Sequence, residues 1–265
     1  MNEMFTGKKS DMYIPESVSC IVKKSQNNSD CQLEAIGSRL ANLFGVDTVY
    51  NLAIESEEQD EYEKYPTYDA IVSVDYVPYG YRLETFKDLF LEFTEDSSLE
   101  DICNMIDDEI DCIARENKLH LTENRLSSLK EKFAYQFIFR NLVCEDYDFC
   151  DRNTALLMGD DGDFKLAPCF DMELLFRGRK SHLYYDSFAR ATIDYLSREM
   201  PKVLSDFMAR YKDIVSSPEL EKVVMRSVKV DPRYTRDIYD HIVNNYKRMN
   251  SLISEYNQNK ELADD

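Results

Sequence analysis

The stretch that most constrains the fold runs from Phe133 to Phe176, because its apolar runs are interrupted by polar residues only where turns are expected. The pattern predicts a helix, a loop and then a β-hairpin closed by a Gly-Asp-Asp-Gly turn. The outer ends of the hairpin carry Asn153 and Asp171. Because antiparallel strands return to their starting point, we expect these two side chains to lie close together.

Three polar groups around this hairpin suit phosphoryl transfer. A carboxylate and an amide oxygen, from Asp171 and Asn153, are hard ligands of the kind that Mg²⁺ prefers, with substrate phosphates supplying further ligands. Asp148, five residues before Asn153, is then left to orient a hydroxyl group. These are the parts that a kinase-like site requires.

The spacing of Asp148 and Asn153 carries little information by itself. The same spacing recurs at Asp240 and Asn245, where the surrounding pattern predicts a helix. Asp and Asn are also common as capping residues in loops, which is the alternative explanation for both positions. Asp151 competes with Asp148 for the role at the acceptor hydroxyl. The order of helix, Asp, Asn, hairpin and Phe-Asp favours the site.

Three segments of the chain resemble the HipA-like serine/threonine kinases. The first is Asp148-Phe-Cys-Asp-Arg-Asn153, similar to the family's Asp-x-His-x-x-Asn, followed by a hairpin and Ala-Pro-Cys-Phe-Asp171. The second is Cys-Ile-Val-Lys23, which resembles the strand that carries the phosphate-binding lysine. The third, from Glu34 to Gly45, resembles the helix that follows this strand.

The resemblance implies a function and a set of residue roles. It implies phosphorylation of a protein Ser or Thr with ATP and Mg²⁺ as cofactors, by a toxin-type kinase that has an antitoxin partner. Lys23 would contact the α- and β-phosphates and pair with Glu34, with Lys24 as the alternative lysine. Val74 to Tyr76 would form the hinge whose backbone meets adenine.

Two departures from the family pattern bear on activity. Cys150 stands where the family motif has His, and Gly7, within Thr6–Ser10, is the only glycine before the lysine strand. Because glycine backbone forms tight phosphate cradles, we expect weak ATP binding and slow turnover unless a protein partner completes the small lobe. A catalytically weak nucleotide-binding or protein-interaction module is therefore the alternative function. A phosphotransferase acting on a small molecule is a third hypothesis.

Composition excludes several classes of protein. An apolar fraction of 43% and an aromatic fraction of 12% over 265 residues are typical of a globular chain with one or two domains. No apolar run approaches the length of about 18 residues that a membrane span needs, and no secretory signal is visible. Seven scattered cysteines indicate reduced thiols in a cytoplasmic protein. Neither these cysteines nor the three scattered histidines have the spacing of zinc ligands, which argues against a zinc site.

The net charge of −19 opposes binding to nucleic acid and to anionic membranes, because both require positive charge on the protein. The simplest interpretation is a solvated acidic surface. The alternative is a basic protein partner that this surface attracts. We therefore expect protein partners and no direct contact with nucleic acid or membrane.

Periodicity and turn signals divide the chain into two lobes. We predict a two-lobed α+β, protein-kinase-like fold, with a small α/β lobe over residues 1–80 and a larger, mostly helical lobe over residues 81–265. The small lobe has a helix ending near Gly45, after a loop over 24–30 in which Ser29 or Asp30 caps the helix. Its predicted strands are 13–23, 47–54 and 68–77.

The large lobe has strands at 154–158 and 164–168 and helices at 84–93, 98–116, 123–143, 187–213, 218–227 and 233–257, with a frayed tail over 258–265. The cleft between the lobes is the expected ligand site.

Overall fold

The computed structural model describes residues 20–24, 28–56, 65–176, 182–226 and 229–264. The described strands are β1 (Cys20–Lys24), β2 (Asn51–Glu55), β3 (Tyr68–Val74), β4 (Tyr81–Thr85), β5 (Ala155–Gly159) and β6 (Phe164–Leu166). The described helices are α1 (Asn28–Phe44), α2 (Leu99–Asn117), α3 (Glu123–Phe137), α4 (His182–Glu199), α5 (Pro201–Val215), α6 (Pro218–Arg226) and α7 (Pro232–Asp264). None of these helices, within the described ranges, combines the length and apolar character needed to cross a bilayer. The predicted α+β class is confirmed.

The first sheet is antiparallel, with β3 between β1 and β2. Its register places Lys23 of β1 opposite Ile71 of β3. Helix α1 packs on this sheet through Leu33, Ile36 and Leu40, which are all buried. Their spacing of three and four residues is that of one buried helical face, so sequence and structure agree on how α1 is oriented.

The second sheet carries the predicted hairpin. Strand β5 is buried along its whole length and pairs with β4 on one side and with β6 on the other. The turn between β5 and β6 places Gly162 at φ +85°, and a side chain there would come within 2.8 Å of the Lys118 carbonyl oxygen. Glycine is needed at this turn for both reasons. The hairpin is confirmed, with its strands within two residues of the predicted bounds.

One hydrophobic core runs from α1 into the helical part of the chain. The ring of Phe44, at the end of α1, lies 5.5 Å from that of Phe139, 5.7 Å from that of Phe207 and 5.0 Å from that of Tyr211. Residues 75–80 connect the first sheet to the second. Helix α1 therefore shares its core with α5, while the division at residue 80 stays a prediction.

The predicted helix over 84–93 is wrong. Residues Tyr81–Thr85 form β4, which pairs with β5, and the residues after it form turns. The hydroxyl of Thr85 accepts a hydrogen bond of 3.1 Å from the backbone N–H of Asp88, and Phe90 has a left-handed backbone with φ +59°. Pairing with a buried strand outweighed the local helical spacing of the apolar residues.

Several predicted boundaries also need correction. The helix expected over 187–213 is two helices, because Pro201 lacks an N–H group and begins α5. The tail expected to fray over 258–265 continues α7 as far as Asp264. Strand β1 includes Lys24, and α1 begins before Ser29, so the expected loop is shorter. Of the predicted strand 13–23, residues 13–19 lie outside the described residues.

Candidate active site

The loop before the hairpin brings Asp148 and Asn153 into direct contact. The side-chain amide nitrogen of Asn153 donates hydrogen bonds to the carboxylate of Asp148 at 2.7 Å and to its backbone carbonyl at 2.9 Å. A short 3₁₀ turn, Asp151–Asn153, produces this return of the chain. The bonds use the amide nitrogen, which leaves the amide oxygen of Asn153 for a metal ion. The side chain of Asp148 is one-third exposed, so an acceptor hydroxyl can reach it.

The end of β1 directs Lys23 toward the segment after β6 that carries Asp171. The ammonium group of Lys23 donates hydrogen bonds to the carboxylate of Asp171 and, at 2.7 Å, to that of Glu173. It also lies 3.8 Å from the carboxylate of Glu34, so the predicted lysine–glutamate pair is present. Lys24 is exposed and, as the next residue in a strand, points to the opposite face. Lys23 is therefore the lysine that the structure brings to the carboxylates.

Burial and ion pairing change the proton affinities of this group. Partial burial of Lys23 opposes its charge, but the hydrogen bonds to Asp171 and Glu173 outweigh burial and raise its pKa. Glu34 is more deeply buried, and this burial raises its pKa to about 7 in spite of the nearby ammonium of Lys23. The site therefore holds a permanently charged lysine and a carboxyl group that titrates near neutral pH.

Glu34 should make the stability of the protein depend on pH. Its pKa is 4.5 in the unfolded chain and about 7 in the fold, so the folded state binds the proton more tightly. This stabilisation is fully present below pH 4.5 and is lost as the pH rises through 7. We expect the free energy of unfolding of the wild type, relative to Glu34→Gln, to fall across that window in urea titrations. Glu84→Gln, on β4, is the control, and a constant difference between wild type and Glu34→Gln would contradict the prediction.

A glycine in α1 allows the helix to approach the segment that carries Asp171. A Cβ atom on Gly37 would lie 2.5 Å from the side chain of Leu175 and 3.3 Å from that of Met172. One turn earlier on the same helix, Glu34 accepts a hydrogen bond from the backbone of Met172. The close packing of α1 thus places Glu34 among the site carboxylates.

Arg140 and Asp146 are site residues that the sequence analysis missed. Arg140 lies in a π-helix, Ile138–Val143, that follows α3, and π-helical turns are frequent at functional sites. Its guanidinium is fully buried and bonds the carboxylate of Asp146 at 2.5 Å. Burial opposes the charge of Arg140, but Asp146 outweighs it and raises the pKa of the guanidinium. Leaving either partner alone would cost about 3–5 kcal/mol. An arginine inside the apolar run Phe-Ile-Phe-Arg-Asn-Leu-Val was the available signal.

The backbone at the site includes residues in the left-handed region. Glu145, Asp171 and Phe176 have φ angles of +49°, +55° and +61°. Residues other than glycine rarely adopt this region, and such residues cluster where a fold holds functional groups in place. Asp tolerates it better than most residues do, which is consistent with Asp171 at its position.

Helix α7 also holds the backbone next to Glu145. Asn245 is buried and donates hydrogen bonds of 3.2 Å to the carbonyl of Val143 and to the carboxylate of Glu145. His241, one turn earlier, lies 3.4 Å from the same carboxylate, and its burial lowers the pKa of the imidazole. The second Asp-x₄-Asn pair of the sequence is thus helical, as predicted, and its Asn245 bonds the backbone just before the loop that carries Asp148 and Asn153.

An apolar surface lies beside the predicted hinge. The ring of Tyr76 stacks on that of Phe170 with centroids 5.9 Å apart, next to Ala155, Leu157 and Ala167 of the hairpin region. Burial, with the charge of Asp75 second, raises the pKa of Tyr76 to about 12. The stacked rings of Tyr76 and Phe170 stay partly exposed over these buried residues and could contact a purine ring.

The two predicted hinge residues differ in what they offer a purine. The N–H group of Val74 already donates to the carbonyl of Tyr50, the residue before β2, at 3.2 Å. Tyr76 follows the end of β3 and carries its ring on the apolar surface. The geometry therefore suits Tyr76 better than Val74 as an adenine contact.

The donor set fits a hard divalent cation. Carboxylate oxygens of Glu34, Asp171 and Glu173 lie within 4.8 Å of one another, and the ammonium of Lys23 bonds two of the three. Oxygen donors of this kind match Mg²⁺, which keeps several waters and takes few protein ligands. Glu173 is a further carboxylate that the sequence analysis did not single out.

Comparison with known proteins identifies the fold. No protein-family model and no curated protein sequence matches the chain. Solved structures do: the Helicobacter pylori proinflammatory kinase CtkA has a TM-score of 0.59 at 14% identity, covering 91% of both chains. HipA from the Shewanella oneidensis MR-1 toxin–antitoxin complex with HipB and operator DNA has a TM-score of 0.54 at 13% identity, covering 87% of this chain and 57% of that chain. The chain has a HipA-like kinase fold.

The HipA-like fold agrees with the resemblance on which the sequence analysis relied. Cys150, at the position of the motif histidine, is buried in the loop between Asp148 and Asn153. The segment Thr6–Ser10, expected to stand in for the glycine-rich loop, lies outside the described residues. The roles proposed for the site residues therefore rest on the contacts described above.

Proposed function

We propose that this chain transfers the γ-phosphoryl group of ATP to a Ser or Thr hydroxyl of a protein. The observation that carries the proposal is the Asn153–Asp148 pair, which the guanidinium of Arg140 joins to the segment after β6 in which Asp171 meets Lys23. Asp148 accepts the proton of the Ser or Thr hydroxyl while the hydroxyl oxygen attacks the γ-phosphorus. The bond between the γ-phosphorus and the ADP oxygen breaks in the same step. Asp171 and Asn153 would hold Mg²⁺, which supplies positive charge to the phosphates when bound.

The proposal assigns the adenine ring and the phosphates of ATP to different groups of residues. The adenine ring lies on the apolar surface beside Val74 and Tyr76, and Lys23 contacts the α- and β-phosphates. Glu34 orients the ammonium of Lys23, as its position 3.8 Å away allows. Because Lys23 is bonded to Asp171, it has to exchange that carboxylate for phosphate oxygens when nucleotide and metal bind.

Lys23→Met should weaken ATP binding about 10- to 100-fold, because a hydrogen bond between charged groups contributes about 1.5–3 kcal/mol. Methionine keeps the length of the side chain and removes only the charge. The matched control is Lys24→Met, one residue away on the opposite face of β1. Calorimetric titration with ATP and Mg²⁺ measures both. Equal losses, or a larger loss for Lys24→Met, would reassign the phosphate lysine.

The partners that we propose are proteins. HipA of Shewanella oneidensis was solved with HipB as a toxin–antitoxin system, which supports an antitoxin-type partner for this chain. A partner that completes the small lobe would also raise the weak ATP affinity expected from the sequence. The net charge of −19 favours protein ligands over DNA, and we propose that the chain acts in the cytoplasm.

The second candidate is a nucleotide-binding or protein-interaction module without efficient transfer. The observation in its favour is that Lys23 already bonds Asp171 and Glu173, so that the carboxylate needed for metal is engaged. The replacement of the motif histidine by the buried Cys150 points the same way.

One experiment separates the two candidates. The pure protein is incubated with γ-labelled ATP and Mg²⁺, with and without a casein-type acceptor, and its melting temperature is measured with ATP in parallel. Label in the acceptor or the protein, lost in Asp148→Ala, supports the kinase. A melting shift with ATP and no transfer supports the module, and the absence of both results refutes ATP as the ligand.

A further inference from the structure

Arg140 connects the parts of the site that the proposed function requires to act together. Its guanidinium bonds the carboxylate of Asp146 and the backbone carbonyl oxygens of Asn153 at 3.0 Å, Phe170 at 3.3 Å and Asp171 at 3.1 Å. We call these five residues the Arg140 network. The loop that carries Asp148 and Asn153 and the segment after β6 that carries Asp171 therefore meet at this one side chain.

We propose that Arg140 is a positioning residue that fixes Asn153 relative to Asp171 and thereby sets the affinity of the site for a divalent cation. This inference rests on the proposed function, because it takes those two residues as the ligands. Outer groups that orient metal ligands influence affinity strongly, because their substitution typically weakens metal binding about 10- to 100-fold.

The chemistry of arginine suits this role. Its Nε, Nη1 and Nη2 atoms all donate within the Arg140 network, which a planar group with five N–H donors can do and a lysine cannot. The ring of Phe149 lies 4.9 Å from the guanidinium carbon and restricts its plane. The backbone N–H of Asp146 also donates to the carbonyl oxygen of Arg140 at 2.8 Å, so the two residues are held at both ends.

The backbone of Asp171 shows how the network directs a ligand. Its φ of +55° allows the carbonyl oxygen to meet Arg140 while the carboxylate meets Lys23. On the other side, Asn153 turns its carbonyl to Arg140 and its amide to Asp148. Both backbones are bonded to one buried guanidinium, and the side chains bond Asp148 and Lys23 instead.

The alternative is that Arg140 only stabilises the fold, since it is a buried ion-pair partner of Asp146. The two roles predict different binding data. A stabilising residue would lower the melting temperature and affect all ATP binding in proportion, whereas a positioning residue would affect the part of ATP binding that needs the cation. ATP binding without metal depends on Lys23 and the apolar surface.

The test compares wild type, Arg140→Lys and Tyr211→Phe. Arg140→Lys keeps the positive charge and loses the planar set of donors. Tyr211→Phe removes a buried hydrogen bond to the Ile242 carbonyl between α5 and α7, and therefore controls for lost stability. If Arg140→Lys does not fold, Asp146→Asn replaces it, because it keeps the shape of the network and weakens its charge pair.

ATP binding is measured by calorimetry over a series of Mg²⁺ concentrations and again in EDTA. For Arg140→Lys we expect the Mg²⁺ concentration at half-saturation to rise about 10- to 100-fold, with unchanged ATP affinity in EDTA and no such rise in Tyr211→Phe. A folded Arg140→Lys, or Asp146→Asn in its place, with the Mg²⁺ dependence of the wild type overturns the inference alone. If the loss of Mg²⁺-dependent ATP binding parallels the drop in melting temperature in every variant, Tyr211→Phe included, the inference is also overturned. A wild type that binds no ATP under either condition refutes the proposed function and the inference with it.

Discussion

Asp171→Asn should abolish the Mg²⁺-dependent part of ATP binding while leaving the fold intact. The substitution replaces one anionic ligand with a neutral oxygen, and Mg²⁺ takes few protein ligands, so the loss of one carboxylate is large. Asparagine also tolerates the left-handed backbone that Asp171 adopts at φ +55°, which alanine would not. A thermal-shift titration with ATP and Mg²⁺ on wild type and variant measures the effect.

Glu173→Gln is the matched control for this prediction. Like Asp171, Glu173 bonds the ammonium of Lys23, so its substitution removes one charge from the same group. Glu173 also belongs to the carboxylate group that fits the cation, so we expect Glu173→Gln to weaken the Mg²⁺-dependent shift less than Asp171→Asn does. An unchanged shift in Asp171→Asn would remove Asp171 from the metal site, and loss of the shift in Glu173→Gln alone would move the assignment to Glu173.

Asp148→Ala should reduce the rate of phosphoryl transfer by about 10²–10⁴ and change ATP affinity little, because removing a positioned base has an effect of this size. The carboxylate bonds the amide of Asn153 and stays partly exposed to an acceptor. Initial rates at saturating ATP, with ATP affinity measured separately, test the prediction.

Asp151→Ala is the control for the position of the base. The backbone of Asp151 donates to the Phe93 carbonyl and accepts from the N–H of Lys87, and both bonds survive the loss of its side chain. We expect this variant to be active. An inactive Asp151→Ala beside a normal Asp148→Ala would show that the catalytic residue was assigned to the wrong position in the loop.

The sequence predicted the elements around the site where the local signals were strong. The hairpin of β5 and β6 follows from two apolar runs and a glycine turn, and α1 follows from its leucine and isoleucine spacing. The α+β class and the HipA-like resemblance were both confirmed. The wrong helix over 84–93 shows the limit, because β4 exists only through its pairing with the buried β5.

The sequence by itself determined which residue types stand at the hairpin mouth, on the lysine strand and on α1, and it supplied Asp148, Asn153 and Asp171 in the order that the proposed site needs. The tertiary structure decided which of them meet. In the fold Lys23, and not Lys24, contacts the carboxylates, and Glu173 joins them. Arg140 bonds the backbone carbonyls of two predicted ligands, Asn153 and Asp171. These contacts join residues between 13 and 150 positions apart in the chain. Local periodicity reports only which face of an element is buried, and the partner across that face is fixed when the separate elements pack into one core.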